Sequence, residues 1–383
     1  MSTTTPAGFV AAAATAGLKA SGNPDLALVR NLGPRHDAAA VFTTNRVQAA
    51  PVVWSRQVVA DGRLEAVVLN SGGANACTGP DGFADTHATA EAVATELGIG
   101  AIDVAVCSTG LIGVRLPMDK LLGSVPGLVA GLAEDAGQAA AEAIMTTDTV
   151  PKTATVHGDG WSIGGMAKGA GMLAPGLATM LVVITTDAVI GAEALSTALQ
   201  EACRTTFDRT DSDGCMSTND TVLIMASGAS EVTPEVATFT TALTALCDDL
   251  AAQLITDAEG ASHDITITVT RAASEADAVT VGRAIARSNL FKCAVFGGDP
   301  NWGRALSAMG TTDAAFEPDA VDLTFNGIQV CRGGGIGEPR DLVDLSGRGV
   351  SVLVDLHAGT AEASIRTNDL TYEYVRENAE YST

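Results

Sequence analysis

The stretch Lys168-Gly169-Ala170-Gly171-Met172-Leu173-Ala174-Pro175-Gly176-Leu177-Ala178-Thr179-Met180-Leu181 decides how this chain is read. Small residues and a Pro-Gly turn lead into Ala178-Thr179, and Met180-Leu181-Val182-Val183-Ile184 then reads as a buried strand. A flexible loop feeding a buried strand is ordinary construction in a layered α/β protein. A threonine at that junction admits a second reading, in which its hydroxyl attacks the carbonyl carbon of Ala178 and cuts the backbone. The cut exposes an N-terminal Thr179 whose α-amine lies beside its own hydroxyl, the amine-activated form of a nucleophile. An α-amine titrates at about 7.7–8.0, so it can take a proton near neutral pH where lysine cannot. These residues by themselves leave both readings open.

Outward from this stretch, strand and helix patterns alternate. Asp264-Ile265-Thr266-Ile267-Thr268-Val269-Thr270 alternates strictly between polar and apolar, which predicts a strand with one buried face. Val236, Phe239, Leu243, Leu246, Leu250 and Leu254 form one helical stripe, with Thr233-Pro234 as a start signal. Further helices are expected over 82–98, 118–145, 191–207 and 275–288. Further strands are expected over 65–70, 102–108, 180–186, 221–227, 320–331 and 349–356. This order predicts an α/β (α+β layered) fold with sheets covered by helices. It does not fix the strand order.

Composition narrows the function. The 383 residues suffice for one large domain or two moderate ones. Aromatic residues make up only 4%, so Ala, Val, Leu and Ile must build the core. A net charge of −23 argues against nucleic acid or an anionic membrane as partner, and leaves room for small anionic substrates near a local cation. Cys77, Cys107, Cys203, Cys215, Cys247, Cys293 and Cys331 are scattered, as reduced thiols in a cytoplasmic protein would be. The five histidines are isolated, so no metal site is expected. The N-terminus lacks a basic lead, and no apolar run reaches 18 residues; neither a signal peptide nor a transmembrane helix is expected.

Several polar segments carry two readings. Ala105-Val106-Cys107-Ser108-Thr109-Gly110 reads as a strand ending in a tight turn, or as a turn that aims N–H groups and a hydroxyl at an oxyanion. Thr146-Thr147-Asp148-Thr149-Val150-Pro151-Lys152 reads as a capped helix end, or as a carboxylate-binding cluster. Lys168 could draw a substrate carboxylate. Glu259-Gly260 looks like surface decoration at a helix end, and the segment from Tyr374 to Thr383 like a frayed tail. Two motif matches fail. The segment from Arg209 to Asp220 has arginine at the first position of a calcium loop and aspartate at its twelfth. Gly333-Gly334-Gly335-Ile336-Gly337-Glu338 ends in glutamate where a dinucleotide fingerprint needs a small residue, and reads as a flexible loop. Gly297-Gly298-Asp299-Pro300-Asn301-Trp302-Gly303-Arg304 reads as a turn without assignable chemistry.

Taken together, KGAGMLAPGLATML at 168–181, the Ser108-Thr109-Gly110 turn, TTDTVPK at 146–152, STNDT at 217–221, GGDPNWGR at 297–304 and the YVRENAEYST end resemble the ornithine/glutamate N-acetyltransferases of arginine biosynthesis. The likeness covers essentially the whole chain. It implies a self-cleaving αββα fold like that of the DmpA-type enzymes, cut between Ala178 and Thr179 into chains 1–178 and 179–383. It implies that Thr179 carries the acetyl group, that Thr109 and Gly110 hold the oxyanion, and that Thr146, Lys168, Thr179, Glu259, Asn378 and Thr383 contact substrate. The implied reaction moves acetyl from N2-acetyl-L-ornithine to L-glutamate without cofactor, in a cytoplasmic heterotetramer of two alpha and two beta chains. Acetyl-CoA stays open as a second donor, and as a substrate only. A processed-threonine amidase or aminopeptidase and a non-enzymatic binding protein are the competing readings. Two departures from the family wording are Gly176, where asparagine is common, and Asp213-Gly214-Cys215-Met216 ahead of STNDT.

Overall fold

The computed structural model describes residues 2–172 and 180–380, and these divide into two compact units. The first comprises residues up to 208 together with 215–254. The second comprises 209–214 and 255–380 of the described residues. These folding units are distinct from the two pieces 1–178 and 179–383 that a cut before Thr179 would give.

In the first unit β1 (Phe9–Ala14), β2 (Leu26–Asn31), β4 (Ala66–Ser71) and β5 (Val104–Thr109) form a four-stranded sheet in the order β1-β2-β4-β5. A five-stranded sheet has the order β3-β9-β8-β7-β6, from β3 (Asp37–Phe42), β6 (Lys152–His157), β7 (Ser162–Lys168), β8 (Leu181–Thr186) and β9 (Thr221–Ala226). Met166, Leu181, Val183, Leu223 and Met225 of this second sheet share one apolar cluster with Leu28, Val67 and Val106 of the first. The other face carries a helix, since Gly165 lies against Leu246 and Leu250 of α6 (Val236–Thr256). Helices α1 (Ala50–Val58), α2 (Gly79–Leu97), α3 (Met118–Ala130) and α4 (Gly137–Ala143) accompany the four-stranded sheet, and α5 (Ala192–Thr205) packs on β3. The layering is therefore helix, sheet, sheet, helix, as the layered α/β expectation and the family likeness both require.

That layering explains why β8 reads as a continuous apolar run: all six of its residues are buried, as in a central strand covered on both faces. It pairs with β7 in register, Lys168 opposite Leu181, so the stretch quoted at the outset runs from the end of one strand to the start of the other.

In the second unit β10 (Asp264–Ala272), β11 (Asp322–Phe325), β12 (Ile328–Arg332), β13 (Gly335–Ile336), β14 (Gly349–Asp355) and β15 (Ala361–Asn368) form a six-stranded sheet in the order β13-β12-β11-β14-β10-β15. Ile265, Ile267 and Val269 point into a core completed by Val281 and Ile285 of α7 (Glu275–Ala286), with Thr266 exposed on the other face. The alternation in the sequence is thus realised. Helices α8 (Asn289–Phe296), α9 (Trp302–Met309) and α10 (Tyr372–Glu380) complete this unit.

Three expectations need correction. The single helix over 118–145 is two helices, because the chain leaves α3 at Gly131 so that Ala133 can exchange backbone hydrogen bonds with Ala11 of β1. The strand over 320–331 is a hairpin turning at Asn326-Gly327, both with positive φ, which is the signature of a two-residue primed turn. The glycine run at 333–337 contains β13, paired with Cys331 and Arg332 of β12. The expected turn in GGDPNWGR covers 297–301 and joins α8 to α9; Asn301 caps the latter, and Trp302, Gly303 and Arg304 are its first residues. All seven cysteines are free thiols. Among the described residues no helix is long and apolar enough to cross a membrane.

Candidate active site

The first unit brings its candidate residues together at the ends of β5 and β7. Strand β5 is buried throughout and delivers Thr109, 1% exposed, into the turn at Gly110. Gly110 has φ +126°, and a Cβ there would lie 2.5 Å from the amide nitrogen of Gly73. Only glycine fits, because the turn sits directly on Gly72-Gly73. The Gly73 amide donates to the Thr109 carbonyl at 3.0 Å, while Ser108 Oγ donates to Asn70 Oδ1 at 2.6 Å. The oxyanion candidates Thr109 and Gly110 are held on a rigid, buried frame.

Lys168 ends β7 and is 1% exposed. Its Nζ donates to Thr109 Oγ1 at 3.2 Å, joining two residues 59 positions apart in the chain. Asp148 is the hub beside it. Its Oδ1 accepts from Lys152 Nζ and from the Gly169 amide, both at 2.7 Å, and its Oδ2 accepts from the Thr146 amide at 2.9 Å. Burial alone would push the Asp148 carboxyl up. The charges of Lys168 and Lys152, with the hydrogen bonds from Lys152 and Thr146, outweigh burial and bring it down to about 2. An ionised carboxylate is thereby fixed between two buried lysines, and the hydroxyl of Thr109 faces a cation. Thr146, Lys168, Thr109 and Gly110 form one constellation.

The second unit pairs Glu259 with Asn378. Asn378 Nδ2 donates to Glu259 Oε2 at 2.9 Å, from an exposed position on α10. Gly260 makes this approach feasible, because a Cβ there would meet the Tyr374 amide nitrogen at 2.3 Å. Thr371 Oγ1 donates to the Gly260 carbonyl at 2.7 Å and anchors the start of the helix. Residues 372–380, expected as part of a frayed tail, form the helix α10, with none of its residues buried. Ala178, Thr179 and Thr383 lie outside the described residues.

Sequence reasoning passed over three polar residues that organise the first unit: Asp148, Asn219 and Asp220. Each is under 9% exposed. Asp148 lies inside TTDTVPK and the other two inside STNDT, so the motifs flagged the segments without singling out the residues that hold the frame.

A four-layered α/β unit with a preformed glycine turn, a threonine hydroxyl facing a buried lysine, and a strand beginning just past a candidate nucleophile defines an acyl-group-transferring class of site. The ArgJ family model matches residues 10–383, and the chain belongs to the ArgJ family. The arginine biosynthesis bifunctional protein ArgJ of Streptomyces coelicolor is 65% identical over 383 residues, covering all of both chains. That of Thermobifida fusca is 60% identical, again over the full length of both. Among solved structures, the ornithine acetyltransferase of Mycobacterium tuberculosis complexed with ornithine is 61% identical. That match covers 47% of this chain and 96% of the other, with a TM-score of 0.45.

Proposed function

We propose that this chain transfers an acetyl group from N2-acetyl-L-ornithine to L-glutamate, with Thr179 as the acyl-carrying nucleophile. The observation that carries this reading is full-length identity of 65% to a protein named for arginine biosynthesis, joined to a buried site whose parts suit acyl transfer. Maturation comes first. Thr179 Oγ attacks the Ala178 carbonyl carbon, the peptide bond becomes an ester, and water hydrolyses the ester. The products are an alpha chain 1–178 ending in a carboxyl group and a beta chain beginning with the free amine of Thr179.

Transfer then runs in two halves. The Thr179 amine takes the hydroxyl proton as Oγ adds to the acetyl carbonyl, and Thr109 with the Gly110 amide stabilises the oxyanion. Collapse of the tetrahedral adduct expels ornithine, which receives the proton, and leaves acetyl-Thr179. The α-amine of glutamate attacks this ester, giving N-acetylglutamate and restoring Thr179. Both substrates are α-amino acids, so Thr146, Lys168, Glu259, Asn378 and Thr383 serve both in turn. The buried lysines supply positive potential for a substrate carboxylate, while Glu259 and Asn378 offer acceptors and donors to an amine. Neither metal nor bound cofactor enters the scheme. Two alpha and two beta chains assemble into a heterotetramer in the cytoplasm.

The word bifunctional in the names of the full-length relatives favours a second activity at this site, acetylation of glutamate with acetyl-CoA as donor. An amidase would release acetate instead of N-acetylglutamate. Thr179→Ala tests the reading. On a denaturing gel the wild-type chain runs as two fragments, and Edman degradation of the larger begins Thr-Met-Leu-Val. The variant stays at 38.7 kDa and makes no N-acetylglutamate. A variant still cut at the same bond removes Thr179 from the mechanism.

A further inference from the structure

The STNDT segment has no role in the scheme above, yet two of its side chains reach opposite sides of the site. Asn219, 4% exposed, sends Nδ2 to the Ala74 carbonyl at 2.6 Å and to the Ser108 carbonyl at 2.8 Å. Ser108 is the residue before Thr109, so this amide fixes the end of β5. Asp220, fully buried, accepts the backbone N–H of Met180 on Oδ1 at 3.1 Å. That N–H belongs to the peptide bond formed by the carbonyl of Thr179. The Thr221 amide meanwhile donates to the Met180 carbonyl at 3.2 Å, so Met180 is held by consecutive residues where the STNDT loop enters β9. The loop is itself tied down. Thr43 donates its amide to the Asp220 carbonyl at 3.0 Å and its hydroxyl to the Ser217 carbonyl at 2.7 Å.

We propose that Asn219 and Asp220 are positioning residues that set the distance between the nucleophile and the oxyanion turn, one holding the strand that carries Thr109 and the other holding the peptide bond after Thr179. Adjacent residues of an anchored loop give a short, stiff link between two strands of different sheets, β5 and β8. Acyl transfer is sensitive to displacements on the order of 1 Å between reacting groups, so such a link has direct catalytic value. Asp220 acts here as a hydrogen-bond acceptor for the Met180 N–H. Its Oδ2 is buried without a hydrogen bond among the described residues, a poor setting for a carboxylate. Burial holds this carboxyl well above the ordinary range, against the opposing pull of the Met180 amide, Ser217 and Lys168. A neutral acid still accepts at Oδ1, and so does asparagine.

The inference rests on Thr179 being the nucleophile, and the test separates the two. Full-length wild type, Asp220→Ala, Asp220→Asn and Asn219→Ala are followed for self-cleavage on denaturing gels, for kcat and KM of acetyl transfer, and for cooperative thermal melting. Asp220→Ala and Asn219→Ala should each slow cleavage and lower kcat at least tenfold while KM moves less than about threefold, as expected when a buried donor or strand end loses its partner. Asp220→Asn should rescue both to within about fivefold of wild type. If Asp220→Ala does not melt cooperatively, Asn219→Ala supplies the loss arm and Asp220→Asn the rescue arm. Wild-type cleavage and turnover in folded Asp220→Ala or Asn219→Ala overturns the proposal. So does a folded Asp220→Asn as slow as the alanine variant, since ionisation would then be the need. A wild-type chain that is never cut refutes instead the Thr179 reading.

Discussion

The Thr109–Lys168–Asp148 cluster and the Glu259–Asn378 pair are built by opposite means. In the first unit both lysines and the carboxylate are buried, Asp148 accepts hydrogen bonds from Thr146, Lys152 and Gly169, and the charges are fixed before any ligand arrives. In the second unit an exposed asparagine reaches a half-buried glutamate through one hydrogen bond. A buried ionic cluster is costly to assemble and costly to break, so it suits chemistry that needs a preset field. An exposed pair exchanges partners readily, so it suits gripping and releasing a substrate. The two regions should therefore respond differently to mutation: the buried one through turnover, joined by stability where a charge is removed, the exposed one through substrate affinity alone.

The largest effect should come from Lys168→Met, which leaves the Asp148 carboxylate with one lysine in place of two. Breaking a buried ionic cluster typically costs about 3–5 kcal/mol; the remaining Lys152 bond should keep this case near the lower bound. Transfer should fall below detection, because Thr109 also loses the cation facing its hydroxyl. The pH response gives a sharper readout. The Asp148 carboxyl is held below its unfolded value, so its contribution is present above roughly pH 4 and is lost as pH falls toward 2. Without Lys168 the folded-state value rises, and acid unfolding should begin at higher pH. A Lys168→Met protein with the acid-melting curve of wild type would show that the cluster is not electrostatically coupled.

Thr109→Ala comes next. It removes a hydroxyl from a turn held by the backbone of Gly73 and by Asn219, so the fold should tolerate it. Loss of one oxyanion donor lowers turnover by roughly 10²–10³. Steady-state kinetics with N2-acetylornithine should show that drop in kcat with little change in KM. A raised KM at unchanged kcat would move Thr109 from the oxyanion to substrate binding and erase the contrast with the second unit.

How much of this could be read from the sequence follows from what the pattern records. The alternation of 264–270 and the stripe from Val236 to Leu254 were legible, because a two-sided environment writes its period into the residues. Strand β7, Ser162-Ile163-Gly164-Gly165-Met166-Ala167-Lys168, was not legible. Its two glycines weaken any strand signal, yet packing demands them. A Cβ on Gly164 would lie 2.1 Å from the Ser2 carbonyl oxygen, and one on Gly165 would press on Leu246 and Leu250. The candidate residues came from motif wording and not from periodicity. The contacts among them were hidden, since Lys168 meets Thr109 across 59 residues and Asp220 meets Met180 across 40. No local pattern says that a lysine or an aspartate will be buried.

The smallest effect should follow removal of residues 378–383, which takes the exposed partner from Glu259 and ends α10 early. Stability should barely change, since Asn378 is exposed and its bonds are to Glu259 and to the carbonyl of Tyr374 on its own helix. If this end closes over a charged amino-acid substrate, hydrogen bonds worth about 1.5–3 kcal/mol each are lost, and kcat/KM should fall at least tenfold. The loss should appear mainly in KM, in contrast to Thr109→Ala. Self-cleavage before Thr179 needs no external substrate and should proceed normally. Truncated enzyme with unchanged kcat/KM would return α10 to a structural role. A drop in kcat alone would place the exposed pair with the buried cluster and remove the division of labour argued here.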